Sequence, residues 1–173
     1  MERTFIILKP DTIQRGLVGE IITRFERVGL KIVGVKMVEP DREHYHSHYE
    51  EISKLISRAG QGPYDANLDF MMVGPVIGIA LEGLGAIALV RKLIGATEPS
   101  AAAPGTIRGD YSHMAFDHAN AVSTGVPNLI HASGNAEEAK QEIALWFGDG
   151  ELYDYPAAHQ HYTQPTKPFK KHP

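Results

Sequence analysis

Apolar residues recur along this chain with two periods. Thr4-Phe5-Ile6-Ile7-Leu8 is a nearly continuous β-rich run, and Lys9-Pro10-Asp11 ends it because proline cannot continue a strand ladder. Val18, Ile21, Ile22, Phe25 and Val28 fall at helical spacing, and Gly29 closes that helix. Lys31 to Val38 alternates like a strand. Arg42 to Arg58 reads as one polar helix with Tyr45, Tyr49, Ile52 and Ile56 on a stripe, and Ala59 to Asn67 as a Gly/Pro-rich loop. Val73 to Leu81 is a third strand, and Ala86 to Ile94 a helix ended by Gly95. Ala96 to Pro127 carries little periodicity, and a stretch that long is usually functional. Leu129-Ile130-His131 is a last short strand, before a helix that runs through Glu142 to Trp146-Phe147. The order β-α-β, helix, β-α-β predicts the α+β class: a ferredoxin-like βαββαβ sandwich, with a four-stranded antiparallel sheet and helices on one face. A flavodoxin-like parallel sheet is the alternative.

The 173 residues suit one domain, and the absence of cysteine removes disulfides, thiolate chemistry and Cys-ligated zinc. A net charge of −4 argues against a general nucleic-acid binder, which shows a basic excess, but leaves room for a small anion held by a few cations. The first strand begins too early for a secretory leader, and no apolar run is long enough to span a bilayer, so a cytoplasmic protein is expected. Ala157 to Pro173 has three prolines, three histidines and three lysines, and reads as an irregular tail lying on a neighbouring subunit.

Asn128-Leu129-Ile130-His131-Ala132-Ser133-Gly134-Asn135 places a histidine at a strand end, immediately before a helix cap. Asn135-Ala136-Glu137-Glu138 has the form of a capping box. A carboxylate at Glu142 would fix the tautomer of His131 and leave its other nitrogen to attack, whereas the plain alternative is a hydrogen-bonded core histidine. Lys9, Arg91 and Arg108 stand where strands or helices meet loops and could hold phosphates, since the chain has no G-x-x-x-x-G-K-[ST] loop. Gly83-x-Gly85-x-x-Ala88 imitates a dinucleotide fingerprint, but no second strand with a terminal acid follows, so the glycines are assigned to a tight turn. His44, His46 and His48 are assigned to a solvated helix start, because no well-placed carboxylate completes a metal site.

Four segments in order, Lys9-Pro10-Asp11-Thr12-Ile13-Gln14-Arg15-Gly16-Leu17, Gly95-Ala96-Thr97-Glu98-Pro99, Pro104-Gly105-Thr106-Ile107-Arg108-Gly109-Asp110 and Asn128-Leu129-Ile130-His131-Ala132-Ser133, resemble the nucleoside diphosphate kinase family. The resemblance covers residues 3 to 155, giving a domain over 1–155 with a tail over 156–173. It implies Mg²⁺-dependent ping-pong transfer of a terminal phosphoryl group among ATP, GTP and other nucleoside di- and triphosphates, in a homo-oligomer, hexameric or tetrameric. It also implies a phosphohistidine at His131, with Glu142 on the other ring nitrogen and Ser133 supporting both. Lys9, Arg91, Thr97 and Arg108 would hold phosphates, Asn128 and Lys9 the sugar hydroxyls, and Tyr49 would lie beside the phosphates. Mg²⁺ is expected on the nucleotide, with no protein metal site. Thr12 and Ala132 stand where glycines are common, and Gly134 where an aspartate is common. Insertions near 59–67 and 111–127 fall where the nucleotide mouth is shaped, and Tyr64 and Phe70 are the candidates to stack on the base.

Overall fold

The computed structural model describes residues 1–169. Its centre is β1 (Glu2–Leu8), which pairs antiparallel with β3 (Val76–Gly83) on one side and β4 (Ile130–Ala132) on the other. β2 (Lys31–Val38) pairs antiparallel with β3, giving the sheet order β2-β3-β1-β4. This is the ferredoxin-like order: β3 lies between β1 and β2, β1 lies between β3 and β4, and the crossovers with their helices follow β1 and β3.

Both faces of the sheet are covered, where the sequence reading expected helices on one. Alternate residues of β1 serve opposite layers, as the two-residue strand period requires. Ile6 and Leu8 pack with Ile21 and Phe25 of α2 (Val18–Arg27) and Val90 and Ile94 of α6 (Ala86–Ile94). Phe5 and Ile7 pack with Tyr45, Tyr64, Leu68 and Trp146 on the other side. Burial on both faces explains why β1 is a continuous apolar run instead of an alternating one.

The expected single helix over 42–58 is three pieces: α3 (Arg42–His46), a π-helical segment (Ser47–Ile52) and α4 (Leu55–Ala59), with Lys54 left-handed at φ 53° between the last two. The expected loop over 59–67 is largely α5 (Gln61–Met71). Pro63 sits in the first turn, where its missing N–H costs nothing, and Tyr64, Leu68 and Met71 face the core at helical spacing. β3 starts at Val76, three residues later than expected, and Val73 is 56% exposed. The long stretch before β4 holds a 3₁₀ turn (Pro99–Ala101), α7 (Ile107–Tyr111) and α8 (Phe116–Ala121).

α1 (Pro10–Gln14) follows β1, and α9 (Ala136–Trp146) follows β4. Asn135 caps α9 by accepting from the Glu138 amide at 2.9 Å, while the Glu138 carboxylate reaches back to the Gly134 amide at 2.8 Å. The last residues of the domain pack on the sheet, where Tyr155 donates to the Ile32 carbonyl at 2.7 Å and Lys31 meets Asp154 at 2.8 Å; in the expected tail, His159 bonds the Gly29 carbonyl at 3.3 Å before α10 (Gln160–Thr163). The part of the expected irregular tail at 170–173 lies outside the described residues. Among the described residues no helix is long and apolar enough to cross a membrane.

Candidate active site

His131 lies in the middle of β4, opposite Ile7, so its side chain shares the layer of Trp146. Its Nε2 is 2.7 Å from Glu142 Oε1. A carboxylate only accepts, so Nε2 carries the proton in the neutral ring and Nδ1 keeps its lone pair. The His131 side chain is 15% exposed and that of Glu142 is fully buried, so the nucleophilic edge is reachable while its support is dry. The buried charge is not left bare. Ser133 Oγ donates to Glu142 Oε2, and the Ser133 oxygen accepts from the Phe5 amide at 3.1 Å. β4 and α9 therefore hold His131, Ser133 and Glu142 as one unit on a rigid strand and helix.

A fourth member was missed in the sequence. His48, assigned to a solvated helix start, is 0% exposed, with its ring centroid 4.5 Å from that of His131. His48 and Tyr49, neighbours in the π segment, both flank the nucleophile candidate, the Tyr49 ring lying 5.9 Å from His131. The 3.6-residue spacing of an ordinary helix gives no sign of this π segment. Trp146 Nε1–H donates to His48 Nδ1 at 3.2 Å, so the proton of neutral His48 is on Nε2, facing Glu142 Oε1 at 3.8 Å. Burial drives the His48 pKa well below its ordinary value, keeping it neutral. His48, His131 and Glu142 bring three ligand-type atoms within 4.8 Å, but the indole bond makes His48 offer N–H, not a lone pair.

Beside this unit stand cations that the fold has stripped of water. Lys9, 5% exposed, follows directly on β1, and burial lowers its pKa to about 8 despite the nearby Asp11 charge. Arg108, in the first turn of α7 and 6% exposed, is lowered to about 10 by burial and by the charge of Arg91. Thr106 caps that turn by accepting from the Gly109 amide at 3.1 Å. Arg108 donates to the carbonyls of Gly95, Asn128 and Ile130, three of the five N–H groups a guanidinium has, which leaves two free among the described residues. Gly95 serves that contact: it is left-handed at φ 82°, and an added Cβ would lie 2.4 Å from Thr106 Oγ1. Partly desolvated cations without a matching carboxylate shell favour an arriving polyanion.

The remaining expected residues group around these. Asn128, 5% exposed, donates to the Thr97 carbonyl at 3.0 Å, and its buried Oδ1 has no partner, as an acceptor kept for a hydroxyl would. Thr97 and Arg91 are exposed, and Arg91 joins the group through its field on Arg108. Tyr49 is buried, and burial pushes the pKa of its hydroxyl up. Of the two aromatics considered for the base, Tyr64 is committed to the core and to His46 Nδ1 at 2.7 Å. Phe70 keeps a half-buried ring, with Lys9 Nζ 5.8 Å from its centroid.

The site does not fit a protein-held Mg²⁺. That ion demands a near-octahedral oxygen shell. Both oxygens of Glu142 are taken by His131 and Ser133, and Asp11 Oδ2 is taken by the Leu129 amide. Asp11 Oδ1 remains, but one buried oxygen among positive charges does not make an octahedral shell.

A family model described as nucleoside diphosphate kinase matches residues 2–152. A nucleoside diphosphate kinase of Pyrococcus furiosus is 46% identical over 155 residues, spanning 90% of this chain and 88% of its own length. One of Synechococcus elongatus is 49% identical over 156 residues, 90% of this chain and 93% of its own. The chain is also similar to the solved transition-state mimic of nucleoside diphosphate kinase from Borrelia burgdorferi with bound vanadate and ADP, at TM-score 0.89 and 40% identity over 92% of this chain and 95% of that one. A structure from Halobacterium salinarum in complex with CDP gives TM-score 0.79 and 41% identity over 94% and 97%. The chain belongs to the nucleoside diphosphate kinase family, whose reaction is phosphate transfer between nucleotides.

Proposed function

We propose that His131 is the nucleophile of a ping-pong nucleoside diphosphate kinase. One observation carries this reading: the neutral ring presents a lone pair at Nδ1 because Nε2–H is fixed on a buried carboxylate. Nδ1 attacks the γ-phosphorus of a nucleoside triphosphate, and the bond to the bridging oxygen breaks. The diphosphate leaves with that oxygen, and His131 retains the phosphoryl group. A second nucleoside diphosphate then attacks phosphohistidine through its terminal oxygen and returns the ring to its first state. The positive charge arising on the ring during transfer lies against Glu142, and Ser133 keeps that carboxylate in place.

The transition state spreads charge over the non-bridging oxygens, so positioning and electrostatics do most of the work. Lys9, Arg91 and the two free N–H groups of Arg108 supply that charge, with Thr97 and Tyr49 at the edge of the phosphates. The Asn128 Oδ1 and Lys9 take the sugar hydroxyls. Mg²⁺ carried by the nucleotide would neutralise phosphate oxygens, and these residues need not hold it. Vanadate with ADP in the Borrelia relative is in keeping with a phosphoryl group passing through such a site.

Intact mass after mixing with ATP and Mg²⁺, followed by a GDP chase, tests the assignment. A single acid-labile phosphate that is absent from His131→Ala and disappears as GTP forms is expected. Nucleotide binding with no phosphorylated protein would instead make this a regulatory domain. A homo-oligomer is part of the same reading. Its support is the sheet edge β2, where Val35 and Met37 are 56% and 57% exposed, and native mass spectrometry is its test.

A further inference from the structure

Leu129 is a leucine at φ 72°, in the left-handed region that a residue with a bulky side chain occupies only under constraint. It is 0% exposed and packs with Ile6, Leu8 and Ile107, so its side chain cannot relax outward. The constraint comes from one short loop acting on both sides of its backbone. Asp11 Oδ2 accepts from the Leu129 amide at 3.0 Å. Thr12 Oγ1 at 2.5 Å and the Lys9 amide at 2.9 Å both donate to the Leu129 carbonyl. Asp11 is an expensive group to place there. Its other oxygen is buried without a partner, and burial pushes its pKa up despite Lys9.

What this clamp shapes is the active-site frame. The residues on either side of Leu129 give their carbonyls to Arg108, at 3.1 Å from Asn128 and by a shorter bond from Ile130. His131 is the next residue. Relaxation of Leu129 to an ordinary conformation would turn these peptides and release Arg108 from two of its three carbonyls.

We propose that Asp11 is a positioning residue which, together with Thr12, holds Leu129 in its left-handed bend and so sets Arg108 and His131 in one frame. This rests on the assignment of His131 and Arg108 above. Thr12 stands where the family pattern commonly has glycine, so this chain ties the Leu129 carbonyl with a hydroxyl that glycine lacks. The loop that carries Lys9 is thereby fastened to the strand that carries the nucleophile.

The test measures the single-turnover rate of His131 phosphorylation by MgATP, alongside Tm, in variants of the full chain. Asp11→Asn keeps an acceptor oxygen and is expected within about threefold of the parent, whereas Asp11→Ala is expected to be at least about tenfold slower. Adding Leu129→Gly to Asp11→Ala should restore about fivefold or more, because glycine enters the left-handed region without a steric penalty. The same change deletes a buried leucine side chain and must lower Tm. A rate that rises while Tm falls cannot come from a purely structural role. A double variant no faster than Asp11→Ala overturns the proposal, as does an Asp11→Ala protein with the parent's rate. If Asp11→Ala does not fold, Thr12→Val decides: about threefold slowing is expected from one lost hydrogen bond, and an unchanged rate overturns the clamp. No phosphohistidine in the parent would defeat the His131 assignment instead.

Discussion

At the scale of single residues, the site works by spending desolvation where charge will arrive. Glu142 fixes the tautomer of His131 from a position with no access to water. Glu142→Gln keeps the shape but removes the charge that stabilises a positive ring. Phosphohistidine formation is expected to slow about 10- to 100-fold, the worth of one charge-assisted hydrogen bond, with little change in nucleotide affinity. Stopped-flow single turnover with a separate binding titration checks this. Lys9 carries the opposite logic. With its pKa lowered to about 8 by burial, it sheds its proton within the working range of alkaline buffers. Nucleotide affinity should fall as pH rises from about 7 to 9.5, and Lys9→Gln should flatten that dependence. The sign for stability is reversed. Between about 8 and the ordinary value of 10.5 the unfolded chain binds more protons at this residue, so the ligand-free protein gains stability as pH rises through that window. Calorimetric titration and thermal melts across pH 7 to 10 would show affinity and stability moving in opposite directions; parallel trends would count against a buried cationic Lys9.

Among the elements, the segments 59–67 and 111–127, where insertions were expected, close on each other. Gly125, at the end of the second, lies so close to α5 that an added Cβ would be 2.5 Å from the Phe70 Cβ and 2.6 Å from the Ala66 carbonyl. The carbonyl belongs to helix backbone and cannot step aside. Gly125→Val is therefore expected to cost about 1–3 kcal/mol by overpacking and to raise the KM for nucleotide more than it lowers kcat. Thermal denaturation with steady-state kinetics measures both, and a variant with the parent's Tm would refute the close approach. The elements also show where sequence patterns carry and where they fail. α2 and α6 keep their apolar spacing and glycine stops, and α9 its Asn135 cap, and all three were legible. α5 was hidden by Gly-Pro, because a proline in a first helical turn looks like one in a loop. The π segment was invisible, since apolar periodicity assumes one residue spacing per turn, and with it His48 was lost from the site.

For the whole molecule, the segment just before the tail is tied to the sheet through one buried cation. Lys31, with a side chain 3% exposed, meets Glu82 at 2.9 Å and Asp154 at 2.8 Å, and Arg3 reaches the other Glu82 oxygen at 2.9 Å. Burial works to raise the Glu82 pKa, but the bonds from Lys31 and Arg3 outweigh it and the net direction is down. Stability from this group is present above the ordinary carboxylate value of 4.5 and is lost as pH falls below it. Lys31→Met leaves Glu82 buried beside one half-exposed arginine, and a loss of about 3–5 kcal/mol is expected. Urea denaturation at pH 7 and pH 4 checks this, and the difference between parent and variant should shrink at the lower pH. The chain alone showed the class and its split βαβ units, because apolar period and caps are local properties, and its four ordered motifs carried the resemblance to the family. The pairing of His131 with Glu142 was legible for the same reason: one strand and one capped helix connect them. Contacts between distant segments were not. Only the tertiary structure set helices on both faces of the sheet, brought His48 and Tyr49 to His131, buried Lys9 and Arg108 together, and bent Leu129 against Asp11 and Thr12. Those contacts span many residues of chain, and burial, which sets their charge states and their strain, exists only once the chain is packed.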